Sequence, residues 1–486
     1  MTACMTVNPN IIELEYAVRG PIPQRAAELR RQGVRTIACN IGNPQALGQR
    51  PISFYRQVLS LVEAPHRIGR ERALYNLFQQ DPSVFPGLGG EDFVSPYVLD
   101  LCDDVLRKLG TGVGAYTESN GPYFIREAIA QFVDRRDGVT SSNGVPSDPD
   151  SIFLTNGASD AAKQIIDILL ADRNDGIMIP IPQYPLYSAA IRKAGGVQVN
   201  YILNEEDGWA LDRSMLEESL AEARRRGVTV KAIVLINPGN PTGAVLPLQS
   251  GKDVVEFAAE HQLAILADEV YQDNVYGEKF VSFAKLVGEN EVPLFSLHST
   301  SKGFCGECGH RGGYIELRNA PKIKGTDSSF RDLLLKLASV SLCSNTVGQV
   351  LTFLMVSPPE EGSEPYNQFV RERTAILKAL YDKATMIRAS FEQMDGVRCF
   401  GKTGAMYLFP RLDRLPEGTT DFDYCMELLE KTGLCTVNGS GFGQKAGTNH
   451  LRIAFLPPIE LLEEVVPRWV EFHNAYVGRG SREIAR

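Results

Sequence analysis

The chain has 486 residues, a hydrophobic fraction of 43%, a charged fraction of 22% and a formal net charge of −9. That length exceeds the roughly 250–300 residues at which a single core stops growing, so two domains are expected. The acidic balance argues against nucleic acid or an anionic membrane as partner, and no run approaches the roughly 20 apolar residues of a membrane span.

Met1 to Asn10 has neither a basic start nor an apolar stretch, so the expected location is cytoplasmic. Nine cysteines scattered along the chain are expected to be reduced thiols rather than a disulfide framework. The first hundred residues are rich in Pro and Gly, including Asp81-Pro82 and Pro86-Gly-Leu-Gly-Gly90, and are expected to form an arm with irregular segments.

From about Ser151 to Leu317, short apolar runs alternate with longer amphipathic stretches. Ile152 to Leu154, Gly176 to Ile179, Val197 to Tyr201, Val230 to Ile236, Leu263 to Leu266, Leu294 to Leu297 and Gly313 to Leu317 read as strands. Asp160 to Leu170, Met215 to Arg226 and Gly251 to His261 read as helices between them. Alternation of this kind predicts an α/β fold with a mostly parallel seven-stranded sheet sandwiched by helices. Ligands of such sheets lie outside the carboxyl ends of the strands.

Ser357 to Pro365 is polar and rich in breakers, which marks a boundary. A long helix from Tyr366 to Met394 follows, then strand-like pieces at Val397 to Phe400, Ala405 to Phe409 and Leu451 to Phe455, and a terminal helix. The expected division is an arm and part of a small domain over 1–100, a large domain over 101–356, and a smaller α+β domain over 357–486.

Polar clusters stand where the buried strands stop. Thr155-Asn-Gly157-Ala158-Ser159-Asp160 joins a strand, a glycine turn and a helix start whose free N–H groups attract phosphate. Asn237-Pro-Gly-Asn240-Pro-Thr-Gly243 and Asp268-Glu-Val-Tyr271 follow two further strands, and Ser299-Thr-Ser301-Lys302-Gly with Arg311 follows a third. Together they supply an amide, an acid, a phenol, an amine and a guanidinium. An amine for an aldehyde, an anion for a ring nitrogen and an Arg fork for a phosphate suit pyridoxal 5'-phosphate.

Three other patterns are read as incidental. Gly396-Val-Arg-Cys-Phe-Gly401-Lys402-Thr403 matches the phosphate-loop pattern letter for letter, but strand-like residues fill its interior and another strand follows, so it is read as a hairpin connection. Cys305-Gly-Glu-Cys308 with His310 resembles half a zinc site and lacks a second ligand pair, so no metal is expected. Gly439-Ser-Gly441-Phe-Gly443 lacks the strand-turn-helix setting of a dinucleotide fingerprint.

The Asn-Pro-Gly-Asn-Pro-Thr-Gly, Ala-Asp-Glu-Val-Tyr and Ser-Thr-Ser-Lys-Gly runs, with Arg311-Gly-Gly-Tyr314, resemble the class I and II aminotransferases of the aspartate aminotransferase fold, which is fold type I of the pyridoxal-phosphate enzymes. Tyr16-Ala-Val-Arg-Gly20, Asn40-Ile-Gly-Asn-Pro44, Pro182-Gln-Tyr-Pro-Leu-Tyr187 and Gly306-Glu-Cys-Gly309 are similar to segments of that family's alanine-specific branch.

That resemblance implies that Lys302 binds the cofactor's aldehyde covalently and moves the proton between the substrate Cα and the cofactor. It implies Asp268 on the pyridine nitrogen, Asn240 and Tyr271 on the ring hydroxyl, and Tyr184 stacked on the ring. Ala158, Ser159, Ser299, Ser301 and Arg311 would hold the phosphate. His310 stands one position before Arg311, at the spacing of the aspartate enzymes, and Arg311 is the preferred reading. Tyr116 would reach the phosphate of a neighbouring subunit, making a homodimer the expected unit. Arg452 would clamp the substrate carboxylate, helped by Asn240 and the backbone near Gly42. The implied reaction is ping-pong transfer of the amino group from L-alanine to 2-oxoglutarate, with glutamate:glyoxylate or broader-range transfer, or a lyase of the same fold, as alternatives.

Overall fold

A computed structural model of the protein describes residues 5–12, 14, 20–140, 142–277 and 279–483. Seven strands, β1 Ile152–Leu154, β2 Asp175–Ile181, β3 Val197–Ile202, β4 Thr229–Ile236, β5 Ala264–Asp268, β6 Leu294–Ser299 and β7 Gly313–Arg318, form at the seven predicted places. Their order is β1-β7-β6-β5-β4-β2-β3. The pairs β2·β3, β2·β4, β4·β5 and β5·β6 are parallel, and β1·β7 is antiparallel.

Burial explains the composition of these strands. Every residue of β2 and β5 is buried, which is why both read as nearly unbroken apolar runs. The edge strand β3 exposes Asn200 and Ile202 and reads as more polar.

The chain packs as two units: Met1–Gly48, Ala162–Leu297 and Lys378–Arg486 form the first, and Gln49–Ala161 and His298–Leu377 the second. In the first, the parallel register aligns Ile236 with Asp268 and Asp268 with Leu297. The strand ends are therefore level, and the Asn237 N–H donates to the Asp268 carbonyl at 3.0 Å.

Also in the first unit, strand Tyr407–Leu408 pairs with Leu451–Ala454, which pairs with Val437–Asn438. Strand Val397–Arg398 pairs antiparallel with Arg411–Leu412, and the first element after Lys402 is strand Tyr407–Leu408, not a helix. The Gly396 to Thr403 run is thus a connection between short strands and lacks the helix a phosphate loop requires.

The second unit corrects one expectation. The stretch expected to be irregular holds the helices Ser53–Glu63, Ile68–Gln80 and Pro96–Leu109, and Pro21–Arg31 is helical in the first unit. Helix Ser53–Glu63 buries Phe54, Tyr55, Val58, Leu59, Leu61 and Val62 in a core shared with Val98, Leu99, Cys102 and Val105 of Pro96–Leu109. Pro21 and Pro96 sit at helix starts, where a missing N–H costs nothing, and Pro96 follows the cap Ser95, whose Oγ accepts from the Val98 N–H. These two prolines mark helix boundaries, whereas Pro86 lies in a turn.

Among the described residues no helix is long and apolar enough to cross a membrane.

Candidate active site

In the first unit the polar residues gather at the carboxyl ends of β4 and β5. Asp268, 5% exposed, ends β5. The Tyr187 hydroxyl donates to its Oδ2 at 2.7 Å. Tyr271 is buried, and its hydroxyl donates to the Tyr407 hydroxyl at 3.2 Å. Burial, with Tyr407 as the next contributor, pushes the Tyr271 phenol well above its ordinary range, so it stays protonated at neutral pH. Tyr184 is half-buried, one residue before Pro185, which caps helix Leu186–Ala194.

Arg452 is 1% exposed, on strand Leu451–Ala454. Its Nη1 donates to Asn240 Oδ1 at 3.0 Å and its Nη2 to the Asn40 carbonyl at 2.6 Å. The guanidinium lies over two rings, 4.4 Å from the Tyr407 centroid and 4.7 Å from that of Phe442. Its Nε is buried with no hydrogen-bond partner. A buried cation with an unused donor is a ready receptor for a carboxylate. Gly42 is half-buried, two residues beyond Asn40.

The loop bearing Asn240 depends on one glycine. Gly243 has φ +67°, and a Cβ there would stand 2.0 Å from the Tyr407 carbonyl oxygen. Any side chain at 243 would push this loop off the strand that supplies Tyr407.

In the second unit the amine and the anion-binding groups converge. Ser299 Oγ donates to Ser301 Oγ and to the Gly312 carbonyl, both at 3.1 Å, and accepts from the Ser301 N–H at 3.1 Å. Thr300 Oγ1 also donates to the Gly312 carbonyl. Lys302, half-buried, follows directly.

Arg311 has a left-handed backbone, φ 56°. Its Nη1 donates to the Cys308 carbonyl at 2.9 Å, and its Nη2 to the Asn156 carbonyl at 2.6 Å and Ser159 Oγ at 3.5 Å. Ala158 and Ser159 open helix Ala158–Leu169. A Cβ on Gly157 would meet Arg311 Nη2 at 2.8 Å, so this turn must be glycine for the guanidinium to lie against it. Two serines, a helix start and an Arg fork make an anion cradle.

His310 points elsewhere: its Nδ1 lies 2.9 Å from Glu307 Oε2. Cys308 Sγ donates to the Ser301 carbonyl and Cys305 is buried, and among the described residues neither belongs to a cluster of three potential metal ligands. Tyr116 is 76% exposed on the second unit. Its neighbour Thr117 is tied to buried Gln349, with Gln349 Nε2 donating to Thr117 Oγ1 at 2.9 Å. Of the family-like segments, Tyr16 to Arg19 lies outside the described residues.

Sequence reasoning overlooked several contributors. Tyr187 was visible inside Pro182 to Tyr187, but nothing marked it as a partner of Asp268. The ring faces of Tyr407 and Phe442, and the ion pair of Arg56 with Glu307, carry no local signature.

The first unit thus offers an acid at a strand end and a buried arginine, and the second a lysine in a serine-rich turn and an anion cradle; comparison with known proteins supplies the class. Residues 92–468 match the family model for aminotransferase class I and II, and the chain belongs to that family. It is 42% identical to "Alanine aminotransferase 2-like" of Danio rerio, covering 98% of this chain and 86% of that protein. It is 40% identical to "Glutamate--glyoxylate aminotransferase 2" of Arabidopsis thaliana, covering 98% and 96% respectively. Among solved structures, an alanine aminotransferase from Pyrococcus furiosus superposes with a TM-score of 0.75 at 25% identity, over 97% of this chain and all of that one.

The family's cofactor is pyridoxal phosphate, and the residues present fit it: the cradle at Gly157 and Arg311 suits a phosphate, and buried Asp268 suits a protonated ring nitrogen.

Glu307 shapes this cradle indirectly. Its side chain is 2% exposed, its Oε1 accepts from Arg56 Nε at 3.1 Å and its Oε2 from Arg56 Nη2 at 2.9 Å, and its N–H donates to the Thr300 carbonyl at 2.9 Å. The loop from Lys302 to Arg311 is thereby pinned at its middle. Glu307→Gln is expected to weaken pyridoxal phosphate binding by about tenfold, roughly 1.4 kcal/mol. Fluorescence titration of the apoprotein checks this, and an unchanged Kd would refute it.

Proposed function

We propose that this protein transfers the amino group of L-alanine to 2-oxoglutarate, giving pyruvate and L-glutamate. The observation that carries the reading is Arg452, a buried cation on aromatic faces with a free Nε donor, matched to the α-carboxylate shared by amino and 2-oxo acids. The choice of alanine rests on the 42% identical relative.

In this reading Asp268 holds the ring nitrogen protonated, Asn240 and Tyr271 bond the ring hydroxyl, and Tyr184 covers the ring face. Ala158, Ser159, Ser299, Ser301 and Arg311 hold the phosphate. When bound, the cofactor withdraws electrons from the substrate Cα and so acidifies its proton. Lys302 would hold the cofactor through its amine and, when that amine is free, would act as general base for the substrate Cα proton. Burial excludes water from the Arg452 pocket and strengthens its grip on the carboxylate.

The unit in solution is proposed to be a homodimer. Tyr116, exposed and next to Thr117, which Gln349 ties in place, is available to a neighbouring subunit's phosphate. The eight described cysteines are free thiols, which supports a reducing compartment such as the cytoplasm.

Glutamate:glyoxylate transfer is the second reading, favoured by the 40% identical Arabidopsis relative. Both are tested with purified, cofactor-loaded protein and a panel of amino donors against 2-oxoglutarate and glyoxylate. Alanine with 2-oxoglutarate is expected to give the highest kcat/KM. A preference for glyoxylate would replace the first reading with the second, and release of ammonia without transfer would sink both.

A further inference from the structure

His450 is a buried titratable group that the reaction as derived above does not use. It is 2% exposed and stands two residues before Arg452. Each of its ring nitrogens faces an acceptor. Nδ1 lies 2.8 Å from Gln444 Oε1, and because the Gln444 amide nitrogen donates to Asp421 Oδ2 at 2.8 Å, it is the amide oxygen that meets the ring. Nε2 lies 2.8 Å from Oε1 of the Glu205 carboxylate, which also accepts from Arg411 Nη1 through Oε2 at 2.7 Å. A neutral imidazole has one N–H and satisfies one of these acceptors, whereas the imidazolium satisfies both. The Phe409 ring, stacked on that of His450 at 4.8 Å with 3° between the planes, offers its π face to the cation.

These two bonds act on the loop of residues 439–449. Asp421 holds the loop on one side, accepting from the Ser440 N–H, Ser440 Oγ and Gln444 Nε2, each at 2.8 Å, and His450 holds Gln444 on the other. Gly439 leaves no slack, since a Cβ there would meet both Gln444 Oε1 and His450 Cβ at 2.6 Å. Between the fastened residues Ser440 and Gln444 stands Phe442, buried, with its ring centroid 4.7 Å from the Arg452 guanidinium. We propose that His450, protonated on both nitrogens, is a positioning residue for substrate binding: it ties the 439–449 loop through Gln444 to Glu205, so that Phe442 keeps the Arg452 guanidinium in the plane in which it meets the substrate carboxylate. This rests on the reading that Arg452 binds that carboxylate. The amino acid and the 2-oxo acid present the same group, so the consequence falls on KM for both. It spares kcat, because the carboxylate is held alike in the ground state and the transition state.

The test uses holoenzyme with nitrogen-15-labelled histidine, in wild-type, His450→Gln, Gln444→Ala and Arg452→Leu proteins. The chain has six histidines, so the pair of ring signals missing from His450→Gln identifies His450. Both signals are expected at the protonated position at neutral pH, and an unprotonated nitrogen in either overturns the proposal. In His450→Gln, KM for the amino acid and for the 2-oxo acid is expected to rise about tenfold, with kcat within about twofold of wild type. A fall in kcat at unchanged KM overturns the role, and so does a lowered Tm with wild-type KM, which would show a merely structural histidine. Should His450→Gln not fold, Gln444→Ala severs the same link from the loop side and is expected to raise KM in the same way; a wild-type KM there refutes the tie. Where both fold, the double variant is expected to show no further rise, and additive rises would mean that the two residues act separately and refute it too. Wild-type kcat/KM in Arg452→Leu overturns the reading of Arg452 and the proposal with it. A fall there beside a wild-type KM in His450→Gln overturns the role of His450 alone.

Discussion

Lys302→Ala is expected to abolish amine transfer, lowering kcat by at least about four orders of magnitude, because one substitution removes both the cofactor's covalent anchor and the general base. The surroundings make this a clean measurement. Ser299, Thr300 and Ser301 are held by the Gly312 carbonyl and by one another, and none of these bonds involves the lysine side chain. The variant should therefore fold with an unchanged circular dichroism spectrum and still bind cofactor phosphate, while losing the visible absorbance of a lysine-bound cofactor. A stopped assay for pyruvate from alanine, with wild-type protein in parallel, reads the loss. Full activity in the variant would remove Lys302 from the mechanism.

The second large effect is expected at Arg452. Its two terminal nitrogens are engaged by Asn240 and Asn40, its Nε is unengaged, and its plane is held between Tyr407 and Phe442. A carboxylate bonded by such a group gains about 1.5–3 kcal/mol per charge-assisted bond, and two bonds correspond to roughly 10²- to 10⁴-fold. Arg452→Leu retains apolar contact with both rings but offers no donor. Its kcat/KM is expected to fall by about 10³-fold for the amino acid and the 2-oxo acid alike, since both present the same carboxylate. Arg452→Lys is expected to recover little, because a single ammonium cannot reproduce the planar fork. Steady-state kinetics with both substrates checks this. A loss confined to one substrate would mean that Arg452 reads a side chain and not the common carboxylate.

Much of this site was legible in the chain because parallel sheets impose a regular relation between sequence and place. A buried strand must be apolar, and the chain leaves it at one edge of the sheet, so the polar residues after β4, β5 and β6 are those a ligand can meet. Asn240, Asp268 and Lys302 follow directly. The Gly396 to Thr403 run was likewise resolved by context, since a strand-like interior contradicts the helix its lettering demands. The first hundred residues were less legible. Their prolines were read as breakers, whereas Pro96 starts a helix whose apolar face enters the core with Val58 and Val350.

The sequence by itself determined the strand and helix order, the residues that end each strand and hence the chemistry on offer: amine, acid, phenol, amide and guanidinium. Only the tertiary structure decided which of these are tuned and by what. Tyr187 and Asp268 stand 81 residues apart, Arg56 and Glu307 251 apart, and Asn240 and Arg452 212 apart. Local patterns report on neighbours along the chain, through hydrogen bonding and the periodicity of burial. Contacts between distant residues depend on how whole elements pack, and no short run of sequence encodes them.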